Sequence, residues 1–301
     1  LAFVLMAGFF ALAPMVVYPV FLMKVMCFAL FACAFNLLLG FGGLLSFGHA
    51  MFLGTAGYAA AHSAKVWGFT PELAILFATG CATLLGWLAG LLAIRRQGIY
   101  FAMITLALAQ MMFFFYLQAP FTGGEDGIQA VPRGKLLGLI DLNSAATMYP
   151  LVYVIFIFGF LLIWRIIHSP FGQVLKAIRE NEPRAISLGY DTDRFKLIAF
   201  VLSGALAGLA GATKALVFQL ASLTDVYWSM SGEVVLMTLL GGMGTIFGPV
   251  VGAAVIITMQ NYLAQLGAWV TIVQGVIFVV CVMAFRRGIV GEIANLIKKP
   301  L

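Results

Sequence analysis

Apolar runs near 20 residues recur along this sequence, with the charges confined to the gaps between them. A helix rises 1.5 Å per residue, so about 20 residues cross the ~30 Å hydrocarbon core of a bilayer. Only 9% of the residues are charged and 63% are hydrophobic, where a soluble domain carries about 25% charged residues. A transmembrane barrel would show alternating strands of about ten residues, and the runs here are continuous. The pattern predicts an all-α, polytopic membrane protein of about ten transmembrane helices, in a single domain over residues 1–301.

The first expected span is Leu1–Val20, which Pro14 and Pro19 bend or end. It lacks a basic leader or cleavage site and so reads as a span, not a signal peptide. The second, Leu22–Leu39, has Lys24 snorkelling at its start. The third is Leu45–Ala64, and the fourth starts on Pro71 and stops before Arg95 and Arg96. The fifth is Gly98–Gln118, and a wetter segment, 119–147, separates it from the sixth at Met148–Trp164. The seventh, Phe195–Phe218, carries Gly204, Ala207, Gly208 and Gly211, small residues that let helices approach closely in lipid. A short eighth span, Ser229–Leu240, is followed by a ninth ending at Tyr262 and a tenth at Ala268–Phe285.

Charge sets the expected orientation. With both termini cytoplasmic, the inside loops hold Arg95, Arg96, Arg165, Lys176, Arg179, Arg184, Arg194, Lys196, Arg286, Arg287, Lys298 and Lys299. The outside holds Lys24, Lys65, Arg133 and Lys135. This is the direction of the positive-inside rule, and it explains the net charge of +6 without nucleic acid. Segment 119–147 is then an outside loop, periplasmic in a bacterial inner membrane, and 165–196 a cytoplasmic one. Lys214 lies roughly 27 Å along a helix from Lys196, where a lysine snorkels to the outer interface unless it is a buried functional charge.

The chain lacks catalytic or nucleotide chemistry of its own. No G-x-x-x-x-G-K-[ST] cradle is present, nor H-E-x-x-H, nor a nucleophile–base–acid set. Cys27, Cys33, Cys81 and Cys281 lie in apolar runs without a C-x-x-C pair, and His49, His62 and His168 are far apart. No cofactor, metal or catalytic residue is expected. Acidic residues are scarce in the spans, with Glu233 the main exception. An ion-coupled secondary transporter, the alternative of another class, usually needs an intramembrane carboxylate or histidine relay.

The loop 165–196 is helix-patterned. Ser169 and Pro170 form an N-cap and first-turn proline, with Val174, Leu175 and Ile178 on one face. Asn181 or Glu182, before Pro183, starts a second turn made amphipathic by Ala185, Ile186 and Leu188, and Gly189 supplies its stop. Asp191 or Thr192 caps the next span. Such a loop either anchors at the membrane interface or docks on a soluble partner. Two glycine-rich breaks, Gly40–Gly48 and Gly241–Pro249, occupy comparable places in the two halves. They read as an internal repeat around a transport path or as tight turns.

Four motifs occur in order: Gly42-Gly43-x-x-Ser46-Phe47-Gly48-His49-Ala50; Thr122-Gly123-Gly124-x-Asp126-Gly127; Ser169-Pro170-Phe171-Gly172 with Ala177-Ile178-Arg179-Glu180-Asn181-Glu182-x-Arg184-Ala185; and Leu240-Gly241-Gly242-Met243-Gly244-Thr245-x-x-Gly248-Pro249. Closed by Arg286-Arg287-Gly288-Ile289-x-Gly291, they resemble the LivM-type permeases of branched-chain amino acid ABC importers. The resemblance implies a bacterial inner-membrane subunit working with a second related permease, two ATPase subunits that hold the ATP and magnesium, and a periplasmic substrate-binding protein. It assigns ATPase coupling to Gly172–Gly189, with Lys176, Arg179, Glu180, Glu182, Arg184 and Gly189 as candidates. The broader importer pattern has E-A-A with a glycine six positions after the glutamate; here Glu182 stands seven before Gly189, and Pro183 replaces an alanine. Gly42, Gly43, Ser46, His49, Gly241 and Gly242 are candidates for the translocation path, and Thr122, Gly124 and Asp126 for periplasmic contacts. The expected substrates are branched-chain or other hydrophobic amino acids, with urea, amides or aromatic acids as the alternative within the family.

Overall fold

A computed structural model describes residues 2–136, 138, 140–264, 269–284 and 288–297. Arg286, Arg287, Lys298 and Lys299, counted above on the cytoplasmic side, lie outside the described residues, as does the side chain of Cys281. The helices run α1 (Ala2–Leu12), α2 (Pro19–Asn36), α3 (His49–Lys65), α4 (Pro71–Ala93), α5 (Ile99–Gln118), α6 (Ala145–Ile167) and α7 (Pro170–Glu180). They continue as α8 (Glu182–Ser187), α9 (Thr192–Phe218), α10 (Trp228–Gly241), α11 (Gly248–Leu263), α12 (Trp269–Ala284) and α13 (Gly288–Ile297). Among the described residues, five are long and apolar enough to cross a membrane: α2 with its π-helical extension to Phe41, α4, α5, α6 and α9.

α2 is the centre of the bundle. Between Lys24 and Asn36 it is apolar all round, and 89% of its hydrophobic stretch is buried, against 28% for α5. A helix without a polar face has to be enclosed by others, and α9, α11, α6 and α10 enclose α2. α9 in turn packs on α3 and α4 through its small residues. A side chain at Gly211 would sit 2.0 Å from the Leu53 carbonyl oxygen, so only glycine permits this approach.

Two expectations need correction. The first expected span ends early: α1 has 11 residues, about 16 Å of helix. A 3-10 turn at Ala13–Met15, carrying Pro14, follows it, and Pro19 opens α2. A proline ring removes a helical hydrogen bond and clashes with the preceding turn. The chain is helical as expected, and its loops carry two short antiparallel pairs, β1 (Ile128–Gln129) with β4 (Leu220–Ala221) and β2 (Lys135–Leu136) with β3 (Ile140–Asp141). The first ties segment 119–147 to the end of α9. Lys214 does not snorkel freely: its ammonium pairs with Asp225, and the two side chains are only 15% and 12% exposed.

The bundle has two ends. α7 and α8 cover one, together with the end of α2, the α4–α5 turn and the α10–α11 break, because Gln97 of that turn donates to Glu182 (3.0 Å) and Gly42 lies against Leu175. The far end holds β1–β4, where Lys65 donates to the Gln129 carbonyl (2.7 Å). There Arg133 donates to the carbonyls of Leu216 (3.3 Å) and Val217 (2.6 Å), capping α9. Arg95, Arg96, Arg165, Lys176, Arg179, Arg184, Arg194 and Lys196 thus share the α7 end, and Lys24, Lys65, Arg133 and Lys135 the far end.

Candidate functional site

The platform at the α7 end is built by caps. The Ser169 hydroxyl accepts from the Gly172 amide (3.4 Å), the Asn181 side chain from the Arg184 amide (3.1 Å), and Asp191 from the Arg194 amide (3.3 Å). Gly189, at φ +88°, ends α8 in the left-handed conformation. Leu175 and Ile178 bury α7 against the bundle. Each cap is worth about 1 kcal/mol, so three helical starts are fixed in direction by three local side chains.

The polar candidates on this platform divide into two groups. Arg179, an exposed residue, lays its stem on Gly43 and donates its guanidinium to the Gly40 carbonyl at the π-helical end of α2. Lys176 lies 5.5 Å over the Phe41 ring. Glu182 faces inward as well: its Oε1 accepts from Lys196 (2.5 Å), Gln97 (3.0 Å) and Thr192 (3.2 Å). Glu180, Arg184 and Gly189 are exposed. Beside them Ile186 (56%), Leu188 (70%) and Tyr190 (42%) form an apolar knob open to the outside. In sequence, Ile186 and Leu188 read with Ala185 as one apolar face. Only Ala185 is buried, because Pro183 and Gly189 leave α8 too short to lay more than one residue on the bundle.

Under the platform the two glycine breaks meet. The Asn36 side chain donates to the Thr245 carbonyl (2.8 Å) and accepts from the Gly244 amide (3.0 Å). A side chain on Gly40 would fall 2.7 Å from the Gly244 nitrogen, and one on Gly43, at φ +71°, 2.9 Å from Arg179 Cγ. Arg179, Gly40, Asn36 and Gly244 therefore form one contact chain from α7 into both breaks. The sequence motifs do not single out Asn36, although it is the lone amide in a helix whose other polar side chain is Lys24.

Of the path candidates, Gly43 lines a cavity of about 440 Å³ between the first break and the start of α5, with Leu44, Leu45, Phe47, Gly98 and Phe101. Gly42 rests on Leu175, and Gly241 is pressed on the Gly248 carbonyl at the α10–α11 crossing. Gly242 is buried with φ +126°. Ser46 accepts from the Gly48 amide (3.2 Å). His49 is enclosed by Phe35, Phe52 and Phe200, its Nε2 2.7 Å from the Ser203 hydroxyl. That hydroxyl donates to the Ala34 carbonyl (2.5 Å), so Nε2 is the donor to it. At the far end Thr122 is buried, donating to the Tyr116 (2.5 Å) and Ala119 (2.7 Å) carbonyls. Gly124 supports a left-handed turn (φ +60°), and Asp126 is exposed.

Residues 19–282 match the family described as branched-chain amino acid transport system, permease component. The chain belongs to this family. It is 24% identical to the high-affinity branched-chain amino acid transport system permease protein LivM of Escherichia coli, over 88% of this chain and 68% of the relative. It is 28% identical to the ribose import permease protein RbsC of Bacillus subtilis, over 73% of this chain and 70% of the relative. It is 30% identical to the autoinducer 2 import system permease protein LsrC of Photorhabdus laumondii, over 40% of this chain and 38% of the relative. No solved structure matches. The motif resemblance to LivM-type permeases is thereby borne out, and the chain is a multi-pass membrane permease. The contact chain under α7 joins an outward platform to two interrupted backbones in the bundle.

Proposed function

We propose that this chain is the non-catalytic permease subunit of an ATP-driven importer in the bacterial inner membrane, moving branched-chain or other hydrophobic amino acids by alternating access. In this reading about ten helices span the bilayer, both termini are cytoplasmic, and α7–α8 is the cytoplasmic coupling platform. Two ATPase subunits hold ATP and magnesium and dock on Glu180, Arg184 and the Ile186–Leu188 knob. A related second permease completes the path, and a periplasmic receptor delivers substrate near Thr122, Gly124 and Asp126. The gathering of basic residues at the α7 end supports this orientation.

The observation that carries the reading is the reach of Arg179 from α7 to Gly40, beside the Asn36 bridge to Gly244. When the ATPases close, α7 and α8 move as a capped unit, and both breaks move with it. Interrupted backbone in a membrane persists where it lines a cavity or is buried in protein, as at Gly43 and Gly241. Ribose and autoinducer 2 import among the relatives supports a second reading in which the same machine carries another solute, urea, amides and aromatic acids included.

The test is reconstitution with the ATPases, second permease and receptor in proteoliposomes. Uptake that needs ATP supports the importer; uptake by this chain alone, driven by an ion gradient without ATP, would replace it with a secondary transporter.

A further inference from the structure

The far end of the bundle carries four ionisable side chains that neither the coupling platform nor the glycine breaks use. Lys24 lies near the start of α2, Lys214 near the end of α9, Glu233 near the start of α10, and Asp225 in the turn between α9 and α10. At 1.5 Å per residue, Lys24, Lys214 and Glu233 sit roughly one to two turns below the rim. Gln260, near the end of α11, reaches the same level, since its amide donates to Glu233 Oε2 (3.0 Å). α9, α10 and α11 pack against α2, so the four charges form one belt at the far end of the bundle.

The belt is neutral in sum but not fully paired. Lys214 pairs with Asp225 and lies 5.4 Å over the Phe28 ring. Lys24 is half-buried and forms no ion pair among the described residues. Glu233 is half-buried with Gln260 as its hydrogen-bond partner. Charged groups at membrane depth are costly and mark substrate pathways. One ammonium and one carboxylate without direct ionic partners, set in a neutral belt, complement a ligand that carries one charge of each sign.

We propose that this belt receives the head group of a zwitterionic amino acid, Lys24 facing its carboxylate and Glu233 its ammonium, with Gln260 orienting Glu233. This rests on the importer reading and narrows it, since ribose and urea carry no charges to match. The Lys214–Asp225 pair holds the α9–α10 turn in place behind the site.

The test uses the complete importer in proteoliposomes loaded with ATP, with labelled leucine and labelled ribose as probes. Lys24→Met and Glu233→Gln are each expected to lower leucine uptake at least tenfold. Receptor docking, receptor-stimulated ATP hydrolysis and the thermal midpoint of the complex are expected to stay at wild-type values. Uptake within twofold of wild type in both variants would overturn the proposal. So would a parallel fall in thermal midpoint, which marks a structural ion network, or a loss of receptor docking, which marks a protein contact. Wild-type uptake of ribose instead of leucine would overturn the zwitterion site and leave the importer standing. Absence of any ATP-driven uptake by the wild type would remove the importer reading itself.

Discussion

The guanidinium of Arg179, on a short helix outside the bundle, donates to the carbonyl of Gly40 at the end of its central helix. The two residues are 139 positions apart. This bond joins the exposed platform to the π-helical end of α2, where a regular helix has given way and carbonyls are free to accept. Hydrogen bonds from a charged donor contribute about 1.5–3 kcal/mol.

Asn36 is the second connection. Replacing it with alanine leaves the Gly244 amide and the Thr245 carbonyl without their side-chain partner in a partly buried place. Each orphaned group costs about 1–3 kcal/mol. Asn36→Ala is expected to lower the thermal midpoint of the purified permease and to cut uptake. A thermal unfolding scan in detergent measures the first effect, and an unchanged midpoint would remove Asn36 as the strut between the breaks.

Glu182 and Lys196 hold α8 to α9 through a pair whose side chains are 19% and 3% exposed. Removing one partner of a buried pair costs about 3–5 kcal/mol, whereas apolar replacement of both is often neutral. Glu182→Gln and Lys196→Met are each expected to destabilise the permease, and the double Glu182→Leu, Lys196→Met to recover most of the loss. A double-mutant cycle by thermal unfolding checks this; additive losses would mean that the pair is not the unit of stability.

Ile186 and Leu188 present apolar surface away from the bundle. Ile186→Asp with Leu188→Asp is expected to leave the permease's own thermal midpoint within about 2 °C, since exposed positions usually change stability by less than about 0.5 kcal/mol. Co-purification of the ATPase subunits is expected to fall at least tenfold. Full retention of the ATPases would take the docking surface away from the knob.

Much of this arrangement was legible in local sequence. Ser169–Pro170, Asn181, Gly189 and Asp191 are chemical signals within one turn, and each sits where its type indicates a start or a stop. The apolar runs located the helices for the same reason, because hydropathy needs no tertiary context. Arg179 and Asn36 were harder. Arg179 lies in a run of charges that reads as a solvated face, and its direction depends on a carbonyl freed far away in the chain. Asn36 contacts a loop 209 residues distant, and a lone amide does not name its partner. Lys214 was misread because its depth along α9 suits snorkelling, while the partner Asp225 stands beyond the helix in a turn whose path sequence does not give. The two-residue strands were too short to leave an alternation.

The most direct measurement is uptake per ATP hydrolysed in the reconstituted importer carrying Arg179→Ala. The expected result is an assembled complex whose ATPases still bind and hydrolyse at near wild-type rate, while transport per ATP falls at least tenfold and Arg179→Lys recovers part of it. A ratio within twofold of wild type would show that force does not pass from α7 to Gly40 through this side chain, and would contradict the coupling role given to it.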